Sequence, residues 1–343
     1  MVENSLNPGS DFLYAHLHAW WANSAQGSRL DELSRAATQQ NLLHLLQNMG
    51  IAVIDEPEKV TSTLLQRHYD RLRSLERLCG GAVRRYVFGQ RLVLETENLK
   101  TLLNYRFFPE RMGSYRDVLI HFNRPEADFE DIEGLLSAPS TAQFIRMLPK
   151  ITQTLEIVGI IEKLDQDRNI MAAECALDNL SYQGELRDVE DLPPAMREVA
   201  KTLLTLEIDI INAMTVLRNA NFYHMDHAAL GVAWMHGGTQ ISRHLWDRLA
   251  DLQDAAQVFN QLPPVFAHVL REHLGEPLNQ LENRLRSLLM QKAKRHFYDA
   301  GNPELALPAY TWMLRFETVN LGRIFEGIRF SLPARAIREM LIE

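Results

Sequence analysis

Two cysteines in 343 residues cannot build a disulfide framework, and Cys79 and Cys175 form no CxxC pair. Each is expected to be a reduced, small apolar core residue. A basic surplus is missing too: 36 Lys and Arg stand against 44 Asp and Glu, a net charge of −8. Such a chain is poor material for gripping nucleic-acid phosphates. Long apolar runs are also absent. The most apolar stretch, 203–217, is interrupted by Glu207 and Asp209 and falls short of the ~20 residues that span a bilayer. No basic segment followed by an apolar one opens the chain, so no secretory signal is read. The expectation is a soluble, cytoplasmic protein without a membrane span, free to lie against a membrane complex.

Motifs of chemistry are scarce as well. "MHGGTQ" holds two glycines, yet no GxxxxGK[ST], no GxGxxG after a strand and no GxSxG occurs. His16 and His18 in "HLHAWW", and His224 and His227 in "FYHMDHAAL", are the histidine groupings with a metal-like look. A spacing of three can share one ligand on a helix, but no HExxH, cysteine pair or supporting carboxylate pattern accompanies them. Capping or solvated histidines are expected there, with Asp226 in a helix-entry loop. Trp20, Trp21, Trp234, Trp246 and Trp312 are expected in the core or at interfaces. The basic face of "MQKAKRHF" reads as the wet side of an amphipathic helix. No catalytic, cofactor or metal site is written in the chain.

What is present is helix. Gly and Pro are few and clumped, alternating strand patterns are nearly absent, and long segments show i, i+3, i+4 apolar spacing. Examples are "LDELSRAATQQNLLHLLQNMG", "STLLQRHYDRLRSLERLC", "PKITQTLEIVGIIEKLDQD" and "EPLNQLENRLRSLLMQKAKRHFYD". Breaks are expected at "RFFPERMGS", "HFNRPEAD", "SYQGELRDVEDLPPAM", "MHGG", "QLPPVF", "HLGEP" and "YDAGNPELALP". The fold class is all-α.

One helical pattern occurs three times. Glu95, Asn98 and Phe108 recur at the same spacing as Asp209, Asn212 and Phe222, then as Glu317, Asn320 and Phe330. Shifting residues 95–149 by 114 lays them on 209–263 without a gap, with ten of 55 positions identical. The third copy has only the front of the unit. "LSRAATQQNLLHLL" near the N-terminus instead resembles the back, with Leu33, Ala36 and Leu46 aligned to Leu135, Ala138 and Leu148. A back half at the start and a front half at the end make one whole unit. Three modules are therefore expected, closed into a ring: residues 1–90 plus 305–343, then 91–200, then 201–304.

The acid and the Asn three residues on share one helix face, beside the core stripe of Val319, Leu321, Ile324, Phe325 and Ile328. An unpaired buried polar group costs about 1–3 kcal/mol. Glu95, Asn98, Asp209, Asn212, Glu317 and Asn320 are therefore candidates for locks between helices, or for the lining of a socket that touches a partner.

With "RLVLETENLKTLLNYRFF", "LEIDIINAMTVLRNANFYHMDHAALGVAWMHGG" and "RFETVNLGRIFEGIRFSLPARAIREML", the chain resembles the C/d subunit family of V-type and archaeal-type rotary ATPases. The resemblance runs from about residue 29 to the end. The glycine pair that often follows the repeated helix in that family matches Gly237-Gly238, while the first copy has "HFNRPEAD" at that place. The N-terminal "YAHLHAWWANS" departs from the family's opening helix. The resemblance implies a non-catalytic central-stalk component, a funnel of three helical modules. Its partners would be the rotor shaft and the membrane ring of ion-carrying subunits, and its place the cytoplasmic face of the inner membrane. Two other classes fit the residues: a generic helical-repeat adaptor, and a helical metallo-hydrolase built on His224, Asp226 and His227.

Overall fold

A computed structural model describes residues 8–51, 59–111, 129–148, 153–273 and 275–343. Among the described residues the chain is helical throughout, with no strand. The N-terminal part holds α1 (Pro8–Ala22), α2 (Ser28–Ser34), α3 (Gln39–Asn48), α4 (Val60–Leu78) and α5 (Gly81–Phe107). The middle holds α6 (Phe129–Leu136), α7 (Thr141–Met147), α8 (Leu155–Asp167), α9 (Ile170–Glu190), α10 (Pro194–Arg218) and α11 (His227–Leu230). The rest comprises α12 (Arg243–Ala250), α13 (Ala255–Gln261), α14 (Pro264–Leu270), α15 (Leu278–Phe297), α16 (Ala306–Arg329) and α17 (Ala334–Glu339).

Most expected helices stand where their periodicity puts them, and the departures have local causes. "LDELSRAATQQNLLHLLQNMG" is two helices, because the Thr38 hydroxyl accepts the Asn41 N–H and starts α3 afresh. The break expected at "SYQGELRDVEDLPPAM" is confined to its end. Helix α9 continues through Gly184 to Glu190, and the turn falls at the Pro193-Pro194 pair. "HFNRPEAD" and the remainder of 112–128 lie outside the described residues.

Among the described residues six long helices dominate and form three hairpins: α4 with α5, α9 with α10, and α15 with α16. Hairpin packs on hairpin, α5 against α9 and α10 against α15, and α16 then packs back against α4. Helix α16 also touches α10 directly. Directions follow from side-chain pairs. Asn104 meets Glu174, Gln90 meets Glu185 and Arg85 meets Asp191, so α5 and α9 are antiparallel. Arg218 meets Glu282 while Glu207 meets Arg286, so α10 and α15 are antiparallel as well. The repeated helices α5, α10 and α16 consequently run parallel.

The main core gathers the interior of α1, α4, α5, α9, α10, α12–α15 and the first half of α16. A second core joins the two ends of the chain. Leu30, Leu33, Leu42, Leu43, Leu46 and Leu64 pack with Leu321, Ile324, Phe325, Ile328, Ile337 and Leu341. Each such side chain contributes about 1.5–3 kcal/mol on burial, so α2 and α3 are fastened to α16 and α17 by apolar packing. Arg338 adds an ion pair with Asp31 at 3.0 Å. Helix α1 lies on α16, where Trp21 is buried and its indole donates to the Tyr298 hydroxyl at 3.0 Å. A third core, around Leu103, Phe144 and Ile161, seats α6–α8 on α5 and α9.

Of the five tryptophans, Trp21, Trp234, Trp246 and Trp312 are buried, and Trp20 is half-buried under the Arg71 guanidinium. Cys79 and Cys175 are half-buried, not fully in the core, and burial pushes both thiols up to about 11.

Candidate functional site

The repeated acid and amide are all inside: Glu95 and Asn98 on α5, Asp209 and Asn212 on α10, Glu317 and Asn320 on α16. The second and third copies use their amides in the same way. The Asn212 amide donates to the Met235 carbonyl at 2.8 Å and accepts from the Met235 N–H at 2.9 Å. Asn320 does the same to Ile342, at 2.7 and 2.9 Å. One side-chain amide thus pairs both polar groups of one peptide residue 22 or 23 positions further on. That segment would otherwise be an irregular strip with orphaned backbone groups.

The acids diverge in an informative way. Asp209 accepts the N–H groups of Thr239, Gln240 and Ile241 at 2.8–2.9 Å. Burial pushes its carboxyl up from the ordinary range, and the three N–H donors pull it back down. Gly237 and Gly238 make this geometry available. Gly237 has φ +109°, and a Cβ on Gly238 would stand 2.2 Å from Asp209 Oδ1.

In the third copy the donors come from the N-terminal segment instead of a following loop. The Ala25 N–H donates to Glu317 Oε1 at 2.8 Å, and Arg67 on α4 pairs with Oε2 at 3.0 Å. The backbone donor stands 292 residues away in the chain. In the first copy Glu95 accepts from the Tyr69 hydroxyl at 3.4 Å and lies 3.5 Å from Arg91. The repeated phenylalanines part company: Phe108 is buried, while Phe222 and Phe330 are exposed.

A second polar group of residues was not singled out from the sequence. Where α16 passes α9 and α10, Arg315 donates to the Tyr182 hydroxyl at 3.4 Å and lies 4.0 Å from Glu207. Arg286 on α15 reaches Glu207 at 3.3 Å and Glu282 at 3.2 Å. Gln90 donates to Glu185 at 2.5 Å, and the Tyr86 and Thr311 hydroxyls meet at 3.2 Å across α5 and α16. His68 on α4 lies nearby. Burial, then Arg315 and Arg67, depress its imidazole to about 3, so it is neutral. Burial also pushes the Glu185 carboxyl up to about 7 against the pull of Arg315. The sequence did hold a signal for this cluster: Glu207 and Arg315 each stand two residues before the repeated acid, charged and of opposite sign inside apolar runs.

The histidine motif resolves into capping and surface pairing. Asp226 accepts the Ala229 N–H and starts α11. His227 sits between Asp251 at 2.7 Å and Asp247 at 3.2 Å, and His224 is exposed with φ +48°. Among the described residues no group of three His, Cys, Asp or Glu is placed to hold a metal ion.

These contacts tie each repeated helix to the segments packed on it. A family model described as the ATP synthase (C/AC39) subunit matches residues 25–340. The chain belongs to that family. No curated protein matches it. Membership places the protein among the accessory subunits of the V-type and archaeal ATP synthases, which are rotary machines, and the all-α fold accords with it. Among the described residues no helix is long and apolar enough to cross a membrane.

Proposed function

We propose that this chain is a non-catalytic central-stalk part of a V-type or archaeal-type rotary ATPase. It links the rotor shaft to the membrane ring of ion-carrying subunits on the cytoplasmic side, and so couples ion transport to ATP hydrolysis or synthesis. In this reading the modules are 91–200, 201–304, and a third shared by 1–90 and 305–343. Each pairs a repeated helix with the long helix returning beside it: α5 with α9, α10 with α15, and α16 with α4. Together they form a funnel whose socket takes the shaft foot. The buried acid–Asn pairs then act as architecture behind the socket wall.

The observation that carries the reading is the closure at Glu317. The last repeated helix completes its hydrogen bonding with the N-terminal segment, and α16 packs on α4. A part that passes torque has to resist shear between its first and last elements, and a closed array of packed helices does so where an open stack slides. A linear adaptor would leave two terminal faces, whereas here the terminal helices cover one another.

The test is purification of the assembled complex through a tag on this chain, followed by native mass spectrometry. Shaft and ring subunits are expected in stoichiometric amount. Glu317→Lys, which opens the closure, should leave ATP hydrolysis by the head intact and uncouple it from ion pumping. Recovery of the chain free of shaft and ring under conditions where those two stay together would contradict the proposal.

A further inference from the structure

A cavity of about 320 Å³ opens between α5, the start of α8, and α9. Four carboxylates line it, Glu95, Glu156, Glu185 and Asp188, with one cation, Arg187. Glu95 is already engaged by Tyr69 and Arg91. Glu185 is different. It is 3% exposed, its Oε2 accepts from Gln90, and its Oε1 is buried with no hydrogen-bond partner. Buried carboxylate oxygens are ordinarily satisfied, and one left bare beside a cavity points to a missing donor.

The groups facing Glu185 do not supply that donor. Arg315 from α16 is shared with Tyr182 and Glu207, Glu207 from α10 and Asp188 on α9 itself add negative charge, and Gln90 from α5 is spent on the other oxygen. Gly89 makes the wall more acidic still. It stands inside α5, where glycine weakens a helix, and a Cβ there would lie 2.6 Å from Asp188 Oδ2. The bare glycine lets the Asp188 carboxylate into the cleft. Apolar lining from Leu92, Leu99, Ile157, Leu177 and Leu180 fits an aliphatic stem.

We propose that this cleft is a binding site for an ammonium or guanidinium group on an aliphatic stem. The cation donates to Glu185 Oε1, and its stem lies along the leucines. The source is a free amine or a Lys or Arg side chain of a neighbouring protein in the complex. The site itself is read from this chain alone, and only its assignment to a neighbour's side chain rests on the proposed place in a complex.

Agmatine, a guanidinium on a four-carbon amine, is the probe, titrated calorimetrically into the full chain at pH 8. Saturable binding is expected, weakened at least ten-fold by Glu185→Gln and by Gly89→Ala, and weaker at pH 5, where Glu185 holds its proton. Circular dichroism checks that both variants are folded. Repeating the titration on the assembled complex separates the sources: a blocked site assigns it to a neighbour's side chain, an open one to a free amine. Absence of binding to the chain, or equal binding by folded Glu185→Gln, overturns the proposal.

Discussion

Asp209 and Asn212 lie three residues apart on α10, and together they hold four backbone N–H groups and one carbonyl of the strip 235–241 within 3 Å. Asn212→Leu leaves the Met235 N–H and carbonyl unpaired in a buried place, and a loss of about 3 kcal/mol in urea unfolding is expected. Gly238→Ala should displace Asp209 and destabilise by a similar amount, about 2–4 kcal/mol. Glu185 gives a pH signature. Its carboxyl is ordinarily near 4.5 and stands near 7 in the fold, so between those values the folded chain keeps a proton that the unfolded chain has lost. That contribution to stability is present below pH 4.5 and is lost as pH rises through 7. His68 runs the other way: neutral when folded down to about 3, it lowers stability as pH falls below 6.5. Glu185→Gln removes only the first slope. Relative to the parent, it should gain up to about 3 kcal/mol on going from pH 4.5 to pH 8, measured by denaturant melts. That the repeated polar pairs would be engaged was legible, because a polar pair beside an apolar stripe must find partners. Their partners were not, because Met235, Ile342 and Ala25 act through backbone groups, which carry no side-chain signature.

At the scale of elements, α16 is completed from both ends of the chain. Removing Ile342 and Glu343 takes away the peptide that Asn320 holds and a buried Ile side chain. A loss of about 4 kcal/mol is expected from the two effects together, read as a lowered urea midpoint. The helices themselves were readable from apolar spacing, and the turn before α10 from the Pro193-Pro194 pair, whereas the starts capped by Thr38, Thr154 and Ser242 came only with the structure. Gly184 misled, because the packing of α9 between α5 and α10 outweighs one glycine's local preference. The antiparallel order of the hairpins was not legible. It rests on pairs such as Asn104 with Glu174, seventy residues apart, and a single sequence gives no sign which charges meet across such distances.

For the whole molecule, the segments read as half-units at the two ends share one core. Leu33 and Leu46 lie buried against Leu321 and Phe325 in one core, and Ala36 is packed at its edge. Under the proposed coupling role, this joint is where torque would tend to pry the array open. The direct measurement is hydrogen exchange by mass spectrometry on the parent chain and on Leu42→Ala, whose side chain belongs to this joint core. The truncation should cost about 2–5 kcal/mol locally. If one module is built from both ends, protection falls together in α2, α3, the second half of α16 and α17, while α9 and α10 keep theirs. Faster exchange confined to α2 and α3, with α16 and α17 as slow as in the parent, would contradict it.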